Sequence, residues 1–328
     1  MKKVLLIRLD KIGDLICTMC VDQVSFLKDC DVQWVISKGL GFVPDNADPQ
    51  RKYIELSKED WKDSLRTLRR FLHDYKPDVA VSFQAPWWVS FALWAENIPV
   101  RAGVKSQWHS FLFLNRGLRQ RRSLATQHEA DYNLDLLLHA FEIEEDVLQE
   151  KTPVLKLTAP ENMALLDQHK LSIRNYVVVH PGMAGSALNW PIPRYIELIE
   201  KVSATTQVVL TGTPADEPWL KDIKEYFKNN SSVLSLQNLL KATELFTVLK
   251  NAKAVVVPST GVAHIAASLG VPVLGIYSPV RVQHPRRWAA RGKEVHIFMP
   301  EVPDMDQVDP QCMDQIQVDE VLKVLSQS

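Results

Sequence analysis

Cysteine is scarce: four residues in a chain of 328 suggest no disulfide framework, which fits a reducing cytosol. Cys17 and Cys20 share a C-x-x-C spacing, but they lie inside an apolar helical pattern rather than opening a helix. Core filling, not redox or metal chemistry, is the use that position favours. Long apolar runs are also missing, and none reaches the roughly 18–20 residues of a membrane span. Met1-Lys2-Lys3 followed by Val4 to Ile7 has the outline of a signal peptide. That run is too short and is interrupted by Arg8, Asp10 and Lys11, so it reads as a first strand. Net charge is lacking too: 38 Lys and Arg against 39 Asp and Glu leave −1, which argues against bulk nucleic-acid binding. Glycine is thin where a dinucleotide fingerprint would need it. Only Gly13 occurs between Arg8 and Ile16, so there is no G-x-G-x-x-G turn. No internal repeat is evident.

What is present is ordinary globular material, 46% hydrophobic and 23% charged, in a length that suits two domains. Strand and helix signals alternate. The pattern predicts strands at Val4–Ile7, Val32–Ile36, Val79–Ser82 and Val100–Gly103. Helices are expected over Asp14–Leu27, Lys58–Tyr75, Trp88–Glu96 and His128–Phe141. A break with an acidic stretch, Pro153 and Pro160 follows, and the boundary is placed there, giving domains 1–155 and 156–328. The alternation then restarts, with strands at Tyr176–His180, Gln207–Thr211, Val233–Leu236, Val255–Val257 and Val273–Tyr277. Helices are expected over Tyr195–Ser203, Glu217–Phe227, Ala242–Lys250, Val262–Leu269 and Val318–Leu325. This is the signature of α/β architecture: two doubly wound domains with parallel sheets and a ligand cleft between them.

The most informative stretch is 254–277. A β-branched run ends at Pro258, Ser259-Thr260-Gly261 turns, and an Ala-rich helix carrying His264 follows. Unpaired N–H groups and the positive end of a helix dipole suit a phosphate there, and His264 sits one turn in. The loop His180 to Pro191 offers Ser186 and Asn189 as hydrogen-bonding groups beside two glycines. The strand-end loop 211–217 offers Asp216 or Glu217 to a ribose, or as a helix cap. Residues 281–291 gather Arg281, His284, Arg286, Arg287 and Arg291 without an acid, enough to neutralise a diphosphate or to form a solvated basic loop. In the first turn, Asp14 opens a helix, where the dipole favours its ionised form. Spacing alone leaves open whether Asp14 and Asp10 act on a substrate or simply cap. From Asn97 to His128 there is no acid, while Arg101, Lys105, Arg116, Arg119, Arg121 and Arg122 alternate with Trp108, Phe111 and Phe113. An anionic acceptor or an anionic membrane surface suits that segment. A solvated face with its aromatics in the core suits it equally. Asp10, Lys11, Arg101, Lys105, Arg119 and Arg122 are the acceptor-side candidates.

In order and spacing, these motifs together resemble glycosyltransferase family 9, the bacterial lipopolysaccharide heptosyltransferases. The resemblance runs through Ile7 to Asp14, His180-Pro181-Gly182 to Trp190-Pro191, Ser259-Thr260-Gly261 to His264 and Gly270, and Cys312-Met313 with Val318 to Val321. It implies a GT-B fold of two Rossmann-like domains, acceptor held mainly by the first and nucleotide-sugar by the second, with the last helix free to pack back on the first. It also implies inverting transfer with neither metal nor cofactor, typically of heptose from ADP-heptose to a lipopolysaccharide core or related surface glycan. The site would be cytoplasmic, with peripheral contact at the inner membrane and no nucleic-acid partner. Asp14 falls on the family's general base. Ser186, Asn189, Ser259, Thr260, Gly261, His264 and Arg281 fall in the donor site, with Glu217 and Leu240 matching ribose and adenine contacts. Two positions depart from the pattern: Leu188 stands where a Lys is usual, and Ser259 where an Asp is usual. His264, Arg281 or Lys11 would then supply the missing charge. The departures leave two alternatives, a catalytically silent sugar-nucleotide-binding protein and a GT-B-type sugar-nucleotide epimerase.

Overall fold

The structure is a computed structural model that describes residues 1–144, 152–183 and 185–327. The chain divides into two compact units, one of Met1–Arg122 with Gln127–Leu155, the other of Lys156–Ser328 with Ser123–Thr126.

The first unit is built on a six-stranded parallel sheet, with strands β1 (Lys2–Arg8), β2 (Cys30–Ser37), β3 (Lys52–Leu56), β4 (Val79–Gln84), β5 (Val100–Val104) and β6 (Arg116–Leu118). Their order across the sheet is β3-β2-β1-β4-β5-β6. Central strands read as nearly continuous apolar runs because helices cover both faces, as parallel sheets require. Val4 to Ile7 are fully buried. The helix Trp61–Tyr75 begins where the Asp60 side chain accepts from the Asp63 N–H at 3.4 Å, later than the charged run from Lys58 suggested. It lays Leu68 and Leu72 on the sheet beside Trp88, Val89 and Leu93 of the helix Trp87–Ala95.

The second unit repeats this plan with β7 (Tyr176–Val179), β8 (Gln207–Leu210), β9 (Val233–Ser235), β10 (Ala254–Pro258), β11 (Val273–Ile276) and β12 (Val295–Phe298). Their order is β12-β11-β10-β7-β8-β9. Counted from its own first strand, this is the same 3-2-1-4-5-6 winding, and each unit has the dinucleotide-binding topology. Gly270, at φ +75°, ends the helix Gly261–Ser268 in the left-handed conformation that glycine adopts without strain. The last helix, Val318–Leu325, places Val318, Val321 and Leu325 in the second unit's own core with Trp190, Tyr195 and Leu198. Its apolar stripe is thereby used.

Two further local expectations change. The helix expected over Asp14–Leu27 is α-helical only over Ile12–Met19 and continues as 3-10 turns at Cys20–Gln23 and Ser25–Leu27, broken by extended Val24. Cys17 and Cys20 are buried there, and burial pushes the Cys17 thiol well up, away from reactivity. The unforeseen strands β3, β6 and β12 all lie at sheet edges, where polar residues interrupt the apolar pattern that marks central strands.

Candidate active site

In sheets of this winding, ligands collect outside the carboxyl ends of the strands at the point where strand order reverses. In the first unit that point lies between β1 and β4. The register between them shifts between Ile7 and Arg8, a bulge of the kind that re-aims a strand's last side chain. Arg8 is consequently buried, 3% exposed, with its guanidinium inside a ring of carboxylates. Its Nη2 lies 2.5 Å from Asp14 Oδ1, its Nε 3.0 Å from Asp10 Oδ2, and its Nη1 3.3 Å from Glu129 Oε1. Glu129, in the first turn of the helix Glu129–Phe141, is fully buried and also takes Arg122 Nη1 at 2.5 Å. Lys58 Nζ closes the outer side on Asp10 at 2.8 Å.

This geometry changes the reading of Asp14. Lys11 is the N-cap of the helix Ile12–Met19, and no side chain caps it. Asp14 is therefore not a cap; its Oδ1 accepts from Arg8 Nη2. Burial raises its pKa above the ordinary 3.8, Arg8 opposes that, and Asp10 and Glu129 add to it. The dipole argument for an easily ionised group is corrected: desolvation dominates, and the carboxylate is a better proton acceptor than a surface Asp. Burial alone would lower Arg8, but the carboxylates of Asp14, Glu129 and Asp10 outweigh it and raise its pKa. Arg8 thus remains a fixed cation. Asp10 and exposed Lys11 line a cleft of about 310 Å³ with Lys38, Ser57, Lys58 and Glu59, at the ends of β1, β2 and β3.

The other basic candidates separate. Arg101 donates to the carbonyls of Phe113 (2.8 Å) and Ile98 (2.6 Å), and burial lowers its pKa. It braces its own loop and is not presented to a ligand. Arg122 donates to Glu129 and to Gln120 Oε1, so it acts from behind the Arg8 cluster rather than on an acceptor. Lys105 and Arg119 lie over the Phe111 ring, at 5.0 and 5.8 Å from its centroid.

In the second unit the reversal point lies between β7 and β10, which run into His180-Pro181-Gly182 and Ser259-Thr260-Gly261. Thr260 is the N-cap of the helix Gly261–Ser268, with no side-chain cap bond, so amide N–H groups at Gly261 and Val262 are aimed outward at the strand ends. The Ser186 hydroxyl donates to Met183 O at 2.8 Å and reaches Ser259 O at 3.4 Å, tying the glycine loop to that turn. Ser186, Ser259, Thr260 and Gly261 are therefore brought together. His264 is buried, 5% exposed, in the same helix.

Four donor-side candidates are placed differently. Asn189 donates to Pro181 O at 2.7 Å and accepts from Trp190 N–H and Tyr195 O–H. Its amide holds the loop. Arg281 is engaged by Asp306 through two short contacts, 2.6 and 2.7 Å, so its charge is already matched. Glu217 opens the helix Glu217–Tyr226 and pairs with Lys224 at 2.8 Å, which lowers its pKa. Leu240 is half-buried. Leu188, where a cation is usual, packs against the apolar core.

Sequence reasoning assigned no role to Glu129, Asp306 or His180. His180 is buried, and its Nδ1 lies 3.0 Å from Thr211 Oγ1. Burial pushes its pKa down to about 4 against the opposing pull of Asp216, so the imidazole is neutral near pH 7. Asp216 Oδ2 accepts from both the N–H and the O–H of Thr213, each at 2.8 Å, and sits where a Cβ at Gly182 would stand 2.2 Å from its Cγ. Gly182 is thus required by a close approach. Among the described residues, no group of three or more His, Cys, Asp or Glu side chains is arranged to hold a metal ion.

A family model described as glycosyltransferase family 9 (heptosyltransferase) matches residues 65–315, a span that begins after the Asp14 turn. A Haemophilus influenzae protein with a provisional glycosyltransferase name is 26% identical over 248 residues, covering 71% of this chain and 69% of that protein. The structure of a family 9 glycosyl transferase from Veillonella parvula superposes with a TM-score of 0.81 at 16% identity, covering 100% of this chain and 98% of the other. The ADP-heptose LPS heptosyltransferase II of E. coli superposes with a TM-score of 0.75 at 17% identity, covering 100% and 99%. At these identities the structural matches speak to fold: both share the GT-B architecture of two parallel six-stranded sheets.

Proposed function

Since the chain belongs to glycosyltransferase family 9, we propose that it transfers a heptose from ADP-heptose to a lipopolysaccharide core or related surface glycan, with inversion and without a metal. The observation that carries this is the carboxylate of Asp14. It lies at the carboxyl end of β1, 2.5 Å from Arg8, with its pKa raised by burial. A general base needs a positioned group whose pKa is lifted toward working pH. In this reading Asp14 takes the proton of an acceptor hydroxyl as that oxygen attacks the anomeric carbon. The C–O bond to the nucleotide diphosphate breaks on the opposite face through an oxocarbenium-like transition state.

The diphosphate would be met by the backbone donors at Gly261 and Val262, the Ser259 and Thr260 hydroxyls and the helix dipole, fixed groups that need no reorganisation as charge develops. Ser186 holds the neighbouring loop in place, and His264 lines the same helix. Leu240 and Glu217 are the proposed adenine and ribose contacts. On the acceptor side Lys11, with Asp10 and Lys58 beside it, faces the cleft at the strand ends, and Lys105 and Arg119 supply further positive charge. The acceptor is an anionic glycolipid in this proposal, and the site of action is the cytoplasmic face of the inner membrane, met peripherally. No helix among the described residues is long and apolar enough to cross a membrane.

Leu188 and Ser259 each remove a charge from the donor side, and with Arg281 matched by Asp306, fixed backbone donors carry most of the load. A thermal-shift screen against ADP-, GDP-, UDP- and TDP-sugars tests the donor. ADP-heptose is expected to stabilise the protein most, by about 2.7 kcal/mol at a hundredfold excess over Kd. A larger shift with another base overturns the ADP assignment.

A further inference from the structure

The helix Trp87–Ala95, of sequence WWVSFALWA, is apolar except for buried Ser90, although one side of it is covered by the first unit's core and the other is not. Trp88, Val89, Ala92 and Leu93 face inward. A surface helix ordinarily carries polar residues on its outer side, and this one carries Trp87, Phe91 and Trp94 instead.

Those rings continue into a single chain of aromatic contacts. Trp61 meets Trp87 at 5.6 Å between centroids, Trp87 meets Phe91 at 6.4 Å, and Phe91 meets both Trp94 (6.0 Å) and Phe113 (5.7 Å). Trp108 then packs edge-on to Phe113 at 6.3 Å. Two of these rings are open to solvent, Trp94 at 49% and Trp108 at 62% exposed, and beside Trp108 on the same helix Phe111 is 49% and Leu112 66% exposed. Aromatic surface of this extent marks a docking face.

Its charges identify the occupant. Lys105 and Arg119 flank the Phe111 ring, and Lys62 lies 5.8 Å from the Trp61 ring. No acid occurs between Asn97 and His128. Of the acids on these helices, Glu96 is engaged by Arg69 at 2.6 Å and Asp63 by Arg66 at 3.8 Å, and Asp60, beside Trp61, accepts from the Asp63 N–H as the helix cap. Exposed tryptophan with cations at its rim is the composition that settles at the headgroup level of a bilayer carrying negative charge. A protein partner of similar chemistry would have to offer an acidic apolar surface of the same breadth.

We propose that this face of the first unit docks on an anionic phospholipid bilayer. Trp94, Trp108, Phe111 and Leu112 enter the boundary between headgroups and acyl chains, and Lys62, Lys105 and Arg119 meet lipid phosphates. The proposal rests on the peripheral membrane contact put forward above and names the surface that makes it.

The test is co-sedimentation of the full chain with vesicles of phosphatidylethanolamine and phosphatidylglycerol, and separately of phosphatidylcholine alone. Binding to the anionic vesicles, weakened by salt, with a blue shift of tryptophan emission, is expected. Trp108→Ser with Leu112→Ser should lower partitioning about tenfold or more while leaving the melting temperature in place. Lys105→Glu with Arg119→Glu should abolish the preference for anionic lipid. Equal binding to both vesicles, or unchanged binding by these variants, overturns the proposal. So does a concentration-dependent dimer of the wild type that Trp108→Ser dissolves, since a second copy would then cover the face. Transfer to a water-soluble, lipid-free acceptor separates this from the catalytic reading. Trp108→Ser with Leu112→Ser should keep it, and its absence in the wild type would count against the proposed function alone.

Discussion

Asp14→Asn is expected to lower kcat by about 10²–10⁴-fold, the usual worth of a positioned general base, while leaving the Kd for the donor nucleotide-sugar within about twofold in calorimetry. The amide keeps the shape of the carboxylate but removes its negative charge and with it the ability to take a proton. Arg8 retains Asp10 at 3.0 Å and Glu129 at 3.3 Å, so the site stays assembled and the loss is one of chemistry. The proposed donor groups belong to the second unit, which gives no reason for donor affinity to move. A turnover loss below tenfold would remove Asp14 from the reaction.

Removing the charge behind Asp14 has the second large consequence. Glu129 is fully buried and joins Arg8 to Arg122, whose side chains are 4% and 12% exposed. Glu129→Leu takes from Arg122 its carboxylate partner and from Arg8 one of three, and breaking a buried pair in this way costs about 3–5 kcal/mol. The stability loss should appear as an earlier urea midpoint at unchanged slope. Milder variants report through the pH dependence of kcat/KM, whose acid limb follows Asp14 because only the ionised carboxylate accepts a proton. Burial raises the Asp14 pKa above 3.8, so the wild-type limb lies above the ordinary Asp range. Arg8 lowers that pKa and Glu129 raises it. Arg8→Met should therefore move the limb to higher pH and Glu129→Gln to lower pH. Opposite shifts from neighbouring variants are something that general structural damage does not produce.

How much of this was legible in the sequence depended on whether the signal was local. The central strands announced themselves as apolar runs, and the turn from Pro258 to Gly270 could be read as strand, small-residue turn and helix because each part is contiguous. The edge strands β3, β6 and β12 could not, since half of an edge strand faces solvent and carries Lys52, Arg116 or His296. At the site, Asp14 was visible as a carboxylate opening a helix, but its electrostatics were not. Its pKa depends on Arg8, aimed inward by a bulge, and on Glu129, 115 positions away in sequence. Pairings of that kind also retired candidates. Nothing near Arg281 forecasts Asp306, and nothing in the acid-free run 97–128 shows that Arg101 braces its own loop while Arg119 stays exposed. The same run held a signal that charge counting hid: Trp108, Phe111 and Leu112 are surface residues, not core.

Transfer itself is read by incubating the purified wild type with ADP-heptose, a lipopolysaccharide core acceptor truncated before its first heptose, and EDTA, and following both products. A transferase of this kind releases ADP only when acceptor is present, lengthens the acceptor by one heptose, and gives an anomeric configuration opposite to that of the donor. Donor binding without transfer, or conversion of the donor when no acceptor is present, would contradict the proposed function.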